Sequence, residues 1–557
     1  MIKIDITLQS PLSHLVHIDI TFPVSNSNTN VYIPLWRPGR YERADFANNF
    51  RKVIARHKEN ELQVLKSLSH KWEINTSEVR EFTFSYDYYA FKMDAGNSVF
   101  DEFQVYFNFI SCIAYIPELI NQPVEVSIDI PRTYEVACPL PFENRILKAS
   151  SYHVLVDSPF LASKKLKKLP YQVDDYQFEV WINGKHPLSD EKIISDFKKF
   201  TRDQIQSFGY FPTKKYQFIV QSLDYKHYHG VEHQNSTVLI LGPNDPESKN
   251  DYYEKLMGVA SHELFHTWNV TRIRPKEMSP YEYQNEISHP TGFASEGFTT
   301  YYGELFLKTS DTYSLDMYLK ELNSLCNRHF QNFGRHRTSL IDSSLNLWID
   351  GYKNTPSSQK VSIYVKGALC ALILDLEIRH GSNHKYSLLD VVKEMMEYYT
   401  FDQGGYVKKD IFSLFKKYGG QQILELAHIL YETADDVEPY LKNALALVGL
   451  ELKLKSPEDM FCHFTGVKVS NQKIVDIVDQ SPFLNQLSIG DKIIEVNNKP
   501  FDIRSNSFPK RIQLKRDEKT INLELLQDGS SFLWNYHLQK INNITSEQQR
   551  NREQWLK

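Results

Sequence analysis

Cysteine is scarce in this 557-residue chain: Cys112, Cys138, Cys326, Cys370 and Cys462 are odd in number and widely scattered. No Cys-x-x-Cys pair occurs, which argues against a disulfide framework and a thiolate zinc site and leaves buried or idle thiols. A basic excess is missing too. Lys and Arg total 64 against 69 Asp and Glu, a net charge of −5, so the chain offers no positive field to a phosphate backbone and nucleic acid is not an expected partner. Long apolar runs are also absent. The nearest, GALCALILDLEI from Gly367 to Ile378, is shorter than the ~20 residues of a membrane span and carries Asp375 and Glu377, so it reads as a buried helix. The opening MIKIDITLQSPLSHLVHIDITF alternates like a strand and lacks the basic start, apolar block and cleavage site of a signal peptide. A cytoplasmic location is the expectation. There are no repeats and no low-complexity segments.

What is present is enough apolar surface for several cores. The chain is 41% hydrophobic, with 33 Phe and 33 Tyr, too long for one core and fitted to three or four domains. Residues 1–165 read as an antiparallel β domain, with strands such as IKIDITL, HIDITF, FTFSYDYYAF, VEVSIDI and YHVLV between polar breaks. Within it, PLWRPGRYERADFANNF (Pro34 to Phe50) sets Pro38-Gly39 at a turn beside aromatics, and a packed turn would account for it. Residues 166–452 begin with the strands YQFIVQSL and STVLILG and continue in helical periods at 251–267, 295–309, 315–330, 361–380 and 388–399. Residues 453–541 return to short strands, VKVSNQKIVDIV, SPFLNQLSIGDKIIEVNNKPF and TINLELLQD. Residues 542–557 form a polar tail expected to fray. The whole is a multidomain α+β chain.

Residues 262–266 are His-Glu-Leu-Phe-His. On a helix His262 and His266 stand one turn apart on one face and can reach one ion, while Glu263 lies where it can act on a water. Two nitrogens and a carboxylate suit zinc and leave its fourth position open. Two histidines on a packed helix would be the plainer account, so a third ligand decides. Residues 294–302, Ala-Ser-Glu-Gly-Phe-Thr-Thr-Tyr-Tyr, open a second helical pattern after the loop SHPTG, and Glu296 near its start is the expected ligand. A first-turn glutamate held by the helix dipole is the alternative for that residue. Glu304, two turns on, is a weaker rival or a supporting partner.

HELFHTWNVTRIRP followed by SEGFTTYY resembles the gluzincin peptidases, and more narrowly the glycyl aminopeptidase family that carries a PDZ domain. The resemblance covers nearly the whole chain and implies a β domain, a thermolysin-like, mainly helical catalytic domain with one zinc ion, and a C-terminal PDZ-like module. Phe293 departs from it, where a tryptophan is expected. Gly230-Val231-Glu232-His233 is similar to the Gly-x-Met-Glu-Asn strand of related aminopeptidases. The resemblance implies that this edge pairs with the peptide, that Glu232 binds its α-ammonium, and that His233 is a further binding residue of undetermined role. Tyr364 in Ile363-Tyr364-Val365-Lys366-Gly367 resembles the tyrosine that donates to the oxyanion, alongside Glu263 as base. A buried core tyrosine is the alternative for Tyr364, and a solvated loop glutamate is the alternative for Glu232. Phe464-Thr465-Gly466-Val467 resembles a PDZ carboxylate loop, with a peptide ligand or a mere packing role both open.

The resulting expectation is a zinc aminopeptidase acting on peptides with a free amino terminus, with small first residues such as Gly or Ala implied by the family alone. A zinc endopeptidase and a noncatalytic PDZ-based scaffold are the alternatives. The oligomeric state is not legible.

Overall fold

The computed structural model describes residues 1–353, 359–526 and 529–557. The last two residues of the expected strand TINLELLQD lie outside these; the strand itself runs Lys519–Glu524. Contacts divide the chain into two units: residues 1–287 with 302–312 and 398–405, and residues 288–301, 313–397 and 406–557. The architecture is multidomain α+β, with a β-rich N-terminal region and a helical middle.

The first unit opens with an eight-stranded sheet. Strand Ile2–Leu8 alternates buried and exposed residues, as a sheet with one face on a core requires. It pairs antiparallel with Leu15–Pro23, Ile4 opposite Ile20, but parallel with Val124–Ile128, Ile4 beside Val126. The sheet is therefore mixed, not purely antiparallel as expected, because a long excursion separates those two strands and brings the second back in the same direction. YHVLV is also not a strand. Tyr152–Val156 is a short helix whose N-cap Ser151 accepts a hydrogen bond from the Val154 amide, so the cap overrides the β-branched composition.

A five-stranded sheet follows in the order Lys167–Val173, Tyr176–Asn183, Lys215–Ser222, Ser236–Gly242, His227–Glu232. The strands Tyr176–Asn183, Lys215–Ser222 and Ser236–Gly242 run parallel, and the last two are buried on both faces along nearly their whole length. The helix Asp190–Phe208 makes the first crossover, capped by Ser189 and ended by Gly209 in a left-handed conformation. His227–Glu232 runs antiparallel at the edge, Gly230 opposite Leu239 and Glu232 opposite Thr237. The motif helix, Lys249–Phe265, comes next in the chain.

The second unit contains the helices Leu315–Phe330, Val365–Gly381, Leu388–Tyr398, Lys408–Glu432 and Glu438–Leu447. GALCALILDLEI is a buried helix: Val365 through Leu376 are all buried, and Asp375 is satisfied by Tyr301 Oη at 2.7 Å, Arg379 Nε at 2.9 Å and the Leu388 amide at 2.8 Å. The C-terminal strands pair in the order Val467–Ser470, Lys473–Ile477, Lys492–Val496, Arg511–Arg516, Lys519–Glu524. A separate ladder joins Leu450–Lys455 to Asn535–Lys540. The tail does not fray. Ser546–Trp555 is a helix with a capping box at Thr545 and Gln548, and Trp555 is buried with its indole donating to Tyr301 Oη at 2.9 Å.

Candidate active site

The motif helix is fixed along its inner face before any ligand is considered. Leu264 and Phe265 are fully buried, and Phe265 stacks on Tyr302 with centroids 5.3 Å apart. The Gln204 amide donates to the Ser261 carbonyl at 3.0 Å, and Ser261 Oγ donates to the Gly303 carbonyl at 2.6 Å. A Cβ on Gly303 would lie 2.9 Å from His262 Cα, so glycine there lets the following helix seat directly on the motif.

On the other face the two imidazoles meet, Nε2 to Nε2 at 3.1 Å. Two nitrogens on one tetrahedral zinc, each ~2.0–2.1 Å from it, stand about 3.3 Å apart, so the spacing fits that ion. His266 Nδ1 is 2.6 Å from the Asn269 carbonyl. A carbonyl can only accept, so Nδ1 carries the proton and Nε2 presents its lone pair. Burial, and then the neighbouring His266, hold His262 well below the usual histidine range, which keeps it neutral and ligand-competent.

Glu296 occupies a π-helical turn, Phe293–Gly297, that precedes the helix Phe298–Thr309. The turn packs by glycine against glycine: a Cβ on Gly297 would lie 2.7 Å from Gly367 Cα. Phe293, in place of the expected tryptophan, stacks on Tyr431 with centroids 4.0 Å apart. His262, His266 and Glu296 each offer a ligand atom, and these lie within 4.8 Å of one another. The residues fit a zinc ion in number and chemistry. Glu232, Glu263 and His266 form a second such group, while Glu304 belongs to neither.

The edge strand supplies the rest. A Cβ on Gly230 would fall 2.2 Å from Glu263 Oε1 and 2.7 Å from Val259 Cγ2, so the strand backbone lies against the Glu263 carboxylate. Val231 is buried toward the sheet, and Glu232 is buried beside the Pro38-Gly39 turn. Gly39 has φ +76°, and a Cβ there would lie 2.6 Å from Glu232 Oε2. That turn, which packing alone could explain in the sequence, is thus a wall of the glutamate's pocket. It is anchored by Trp36, fully buried, whose indole donates to the Glu282 carbonyl at 2.9 Å. His233 Nδ1 donates to Asp157 Oδ1 at 3.2 Å, and the Gln234 amide donates to Asp157 Oδ2 at 3.0 Å. Tyr364 sits half-buried at the N-cap of the helix Val365–Gly381.

Sequence reasoning did not single out Asp157, Arg274 or Asn269. Only the last had a signal, its place three residues after the second histidine.

A His-Glu-x-x-His helix beside a parallel-cored sheet, with a further buried glutamate grouped to its imidazoles, supports a zinc peptidase as the class of protein. More particularly, residues 3–164 match the model of the Peptidase M61 N-terminal domain, and residues 255–370 match that of M61 glycyl aminopeptidase. An aminopeptidase N family protein from Idiomarina loihiensis shares the fold with a TM-score of 0.86 and 24% identity, covering 100% of both chains. A mutant M1 zinc metallopeptidase from Deinococcus radiodurans aligns at a TM-score of 0.49 and 12% identity over 78% of this chain and 94% of its own. The same enzyme bound to a Tyr-Ser-Ala substrate aligns at 0.48 and 13%, over 77% and 93%. No curated protein sequence matches.

Proposed function

We propose that the chain is a zinc-dependent aminopeptidase that hydrolyses the first peptide bond of peptides with a free amino terminus. The observation that carries this reading is the pair of overlapping ligand groups: His262, His266 and Glu296 for one ion, and Glu232 brought beside Glu263 and His266. Two carboxylates held this close favour a cation between or beside them, and a peptide's α-ammonium is one.

Zinc held by His262, His266 and Glu296 would supply Lewis acidity to the scissile carbonyl and to the attacking water. Glu263 takes the proton from that water and later delivers it to the leaving amine. Glu232 fixes the ammonium and so sets the cut one residue in. The backbone of Gly230 and Val231, on the sheet edge, aligns the peptide by strand addition, with His233 held by Asp157 at the end of that strand. Tyr364 donates to the developing oxyanion. The preference for Gly or Ala rests on family resemblance alone.

The test is a panel of amino-acid arylamides with chelator and with zinc restored, beside the same substrates N-acetylated. Chelator-sensitive release from free but not acetylated substrates is expected. Release that ignores chelation would overturn the zinc reading, and equal release from acetylated substrates would favour an endopeptidase.

Residues 453–541 are read as a PDZ-like module with a packing role. The Gly466 amide donates to the Cys462 carbonyl at 2.8 Å and the Val467 amide to Thr465 Oγ1 at 3.2 Å. The Phe532 amide donates to the His463 carbonyl at 2.9 Å. Amides that would capture a peptide carboxylate are thus engaged within the module.

A further inference from the structure

Beside Glu232 the first unit encloses a cavity of about 300 Å³, and its position and walls bear on which first residue a substrate carries. The argument rests on the aminopeptidase reading above. If Glu232 holds the substrate ammonium and the carbonyl lies at the metal ligands, the Cα of the first residue is one bond, about 1.5 Å, from each of those groups. Ligand atoms of Glu232, Glu263 and His266 within 4.8 Å of one another leave that Cα little freedom. A Cβ that leaves this Cα on the side of Glu232 and Val231 enters the cavity those two residues border.

The void is large for a glycine or alanine. A cavity of about 150 Å³ already holds a benzene molecule, and this one has twice the volume. Its walls are chiefly apolar or aromatic: Val154, Val231, Tyr281 and Phe401 among them. Besides Glu232, the charged groups on its margin are Arg37, Asp157 and Arg274, and each has partners of its own: Arg37 donates through Nη1 to the Pro38 carbonyl at 3.0 Å. Asp157 accepts from the His233 ring and the Gln234 amide. The Arg274 guanidinium lies 3.8 Å from the Tyr281 ring centroid and 4.7 Å from that of Phe401, and donates through Nη2 to the Thr271 carbonyl at 3.0 Å. That cation between two rings holds both aromatic walls in place.

We infer that this cavity receives the side chain of the substrate's first residue and selects a large apolar one, of leucine to phenylalanine size, over the small residues that family resemblance implies. Glycine would leave it without a contact, and pocket contacts the size of one methylene change kcat/KM by roughly 10- to 200-fold.

The experiment measures kcat/KM of the full chain, zinc-loaded, on Gly, Ala, Leu and Phe arylamides. Leu and Phe should exceed Gly by at least about 10-fold. In Val154→Phe, which adds bulk to a lining residue that has no part in the proposed chemistry, the Phe-to-Gly ratio should fall by about 10-fold or more; in Val154→Ala it should not fall. Gly or Ala equal to or better than Phe in the unaltered chain overturns the inference, whether or not the variants fold. A Val154→Phe protein with unchanged circular dichroism and an unchanged ratio overturns it as well. Chelator-sensitive cleavage of Gly without cleavage of Phe sinks only this inference, whereas no chelator-sensitive cleavage of any free-amino substrate sinks the aminopeptidase reading beneath it.

Discussion

At the scale of single residues the proposed chemistry turns on Glu263 and Gly230. Glu263→Gln keeps the shape of the side chain and removes the carboxylate proposed as the base, so kcat should fall by about 10²–10⁴-fold while zinc content by elemental analysis stays near one per chain. Retained turnover would show that another group moves the proton. Gly230→Ala tests the strand–helix contact. Its Cβ would overlap Glu263 Oε1, at 2.2 Å, and either strand or carboxylate must shift; a displacement near 1 Å is expected to cost about 10²-fold in kcat/KM with zinc still bound. At this scale the sequence was informative wherever the chemistry is local. The His262–Glu263–His266 spacing is a property of one helix and needs no tertiary information. Gly230 and Gly39 carry no such signal, because what requires glycine is a carboxylate that arrives from another segment.

Elements were read well where apolar periodicity is long and poorly where a cap decides. The helix Leu315–Phe330 and the strand Ser236–Gly242 fall where the pattern sets them. Tyr152–Val156 does not, since a five-residue run with three β-prone side chains, Tyr152, Val154 and Val156, folds behind a serine cap as a turn of helix. Asp190–Phe208 passed unread although Ser189 and Gly209 bracket it, its polar face masking the buried Ile193, Phe197, Phe200 and Ile205. The tail was misjudged because its composition is polar nearly throughout: one large apolar side chain, Trp555, is buried, and the rest of the docking is polar, Asn551 donating to the Leu447 carbonyl at 3.0 Å and Arg552 to the Val448 carbonyl at 2.7 Å. Trp555→Ala should therefore destabilise the protein by ~3–5 kcal/mol, as loss of a buried aromatic does, and Thr545→Ala by ~1 kcal/mol through its cap. Chemical denaturation measures both; a tryptophan variant within error of the parent would mean that the helix contributes nothing. The C-terminal module makes a matching expectation. Peptides with free carboxylates should show no saturable binding by calorimetry, and saturable binding would restore the receptor reading.

The whole molecule carries a pH dependence that follows from its buried histidines. His262 and His329 are held well below the usual range, chiefly by burial, and burial likewise lowers His289 to about 4; burial with Arg37 lowers His229 to about 3. In the unfolded chain each takes a proton near pH 6.5. Below that pH the unfolded state binds more protons than the native one, so this stability is fully present above about 6.5 and is lost as pH falls toward 4. The denaturation midpoint of the metal-free protein should drop steadily between pH 7 and pH 5, and a flat profile would contradict it. The cavity beside Glu232 belongs to this scale too, and no reading of sequence could have found it. Its walls come from stretches as far apart as Pro38, Val154, Glu232, Tyr281 and Phe401, each unremarkable among its own neighbours.

The strand His227–Glu232 ends its sheet, and its outward side is the track along which a peptide would lie. Such a track accepts only chain that has been drawn out straight for several residues, and it asks for a terminus with nothing ahead of it. A well-folded protein whose first residues are tucked into a helix or a sheet of its own has nothing to lay there. On the proposed reading, then, the natural diet would be short debris and loose ends, the leavings of other proteases, and intact native proteins should pass it by untouched.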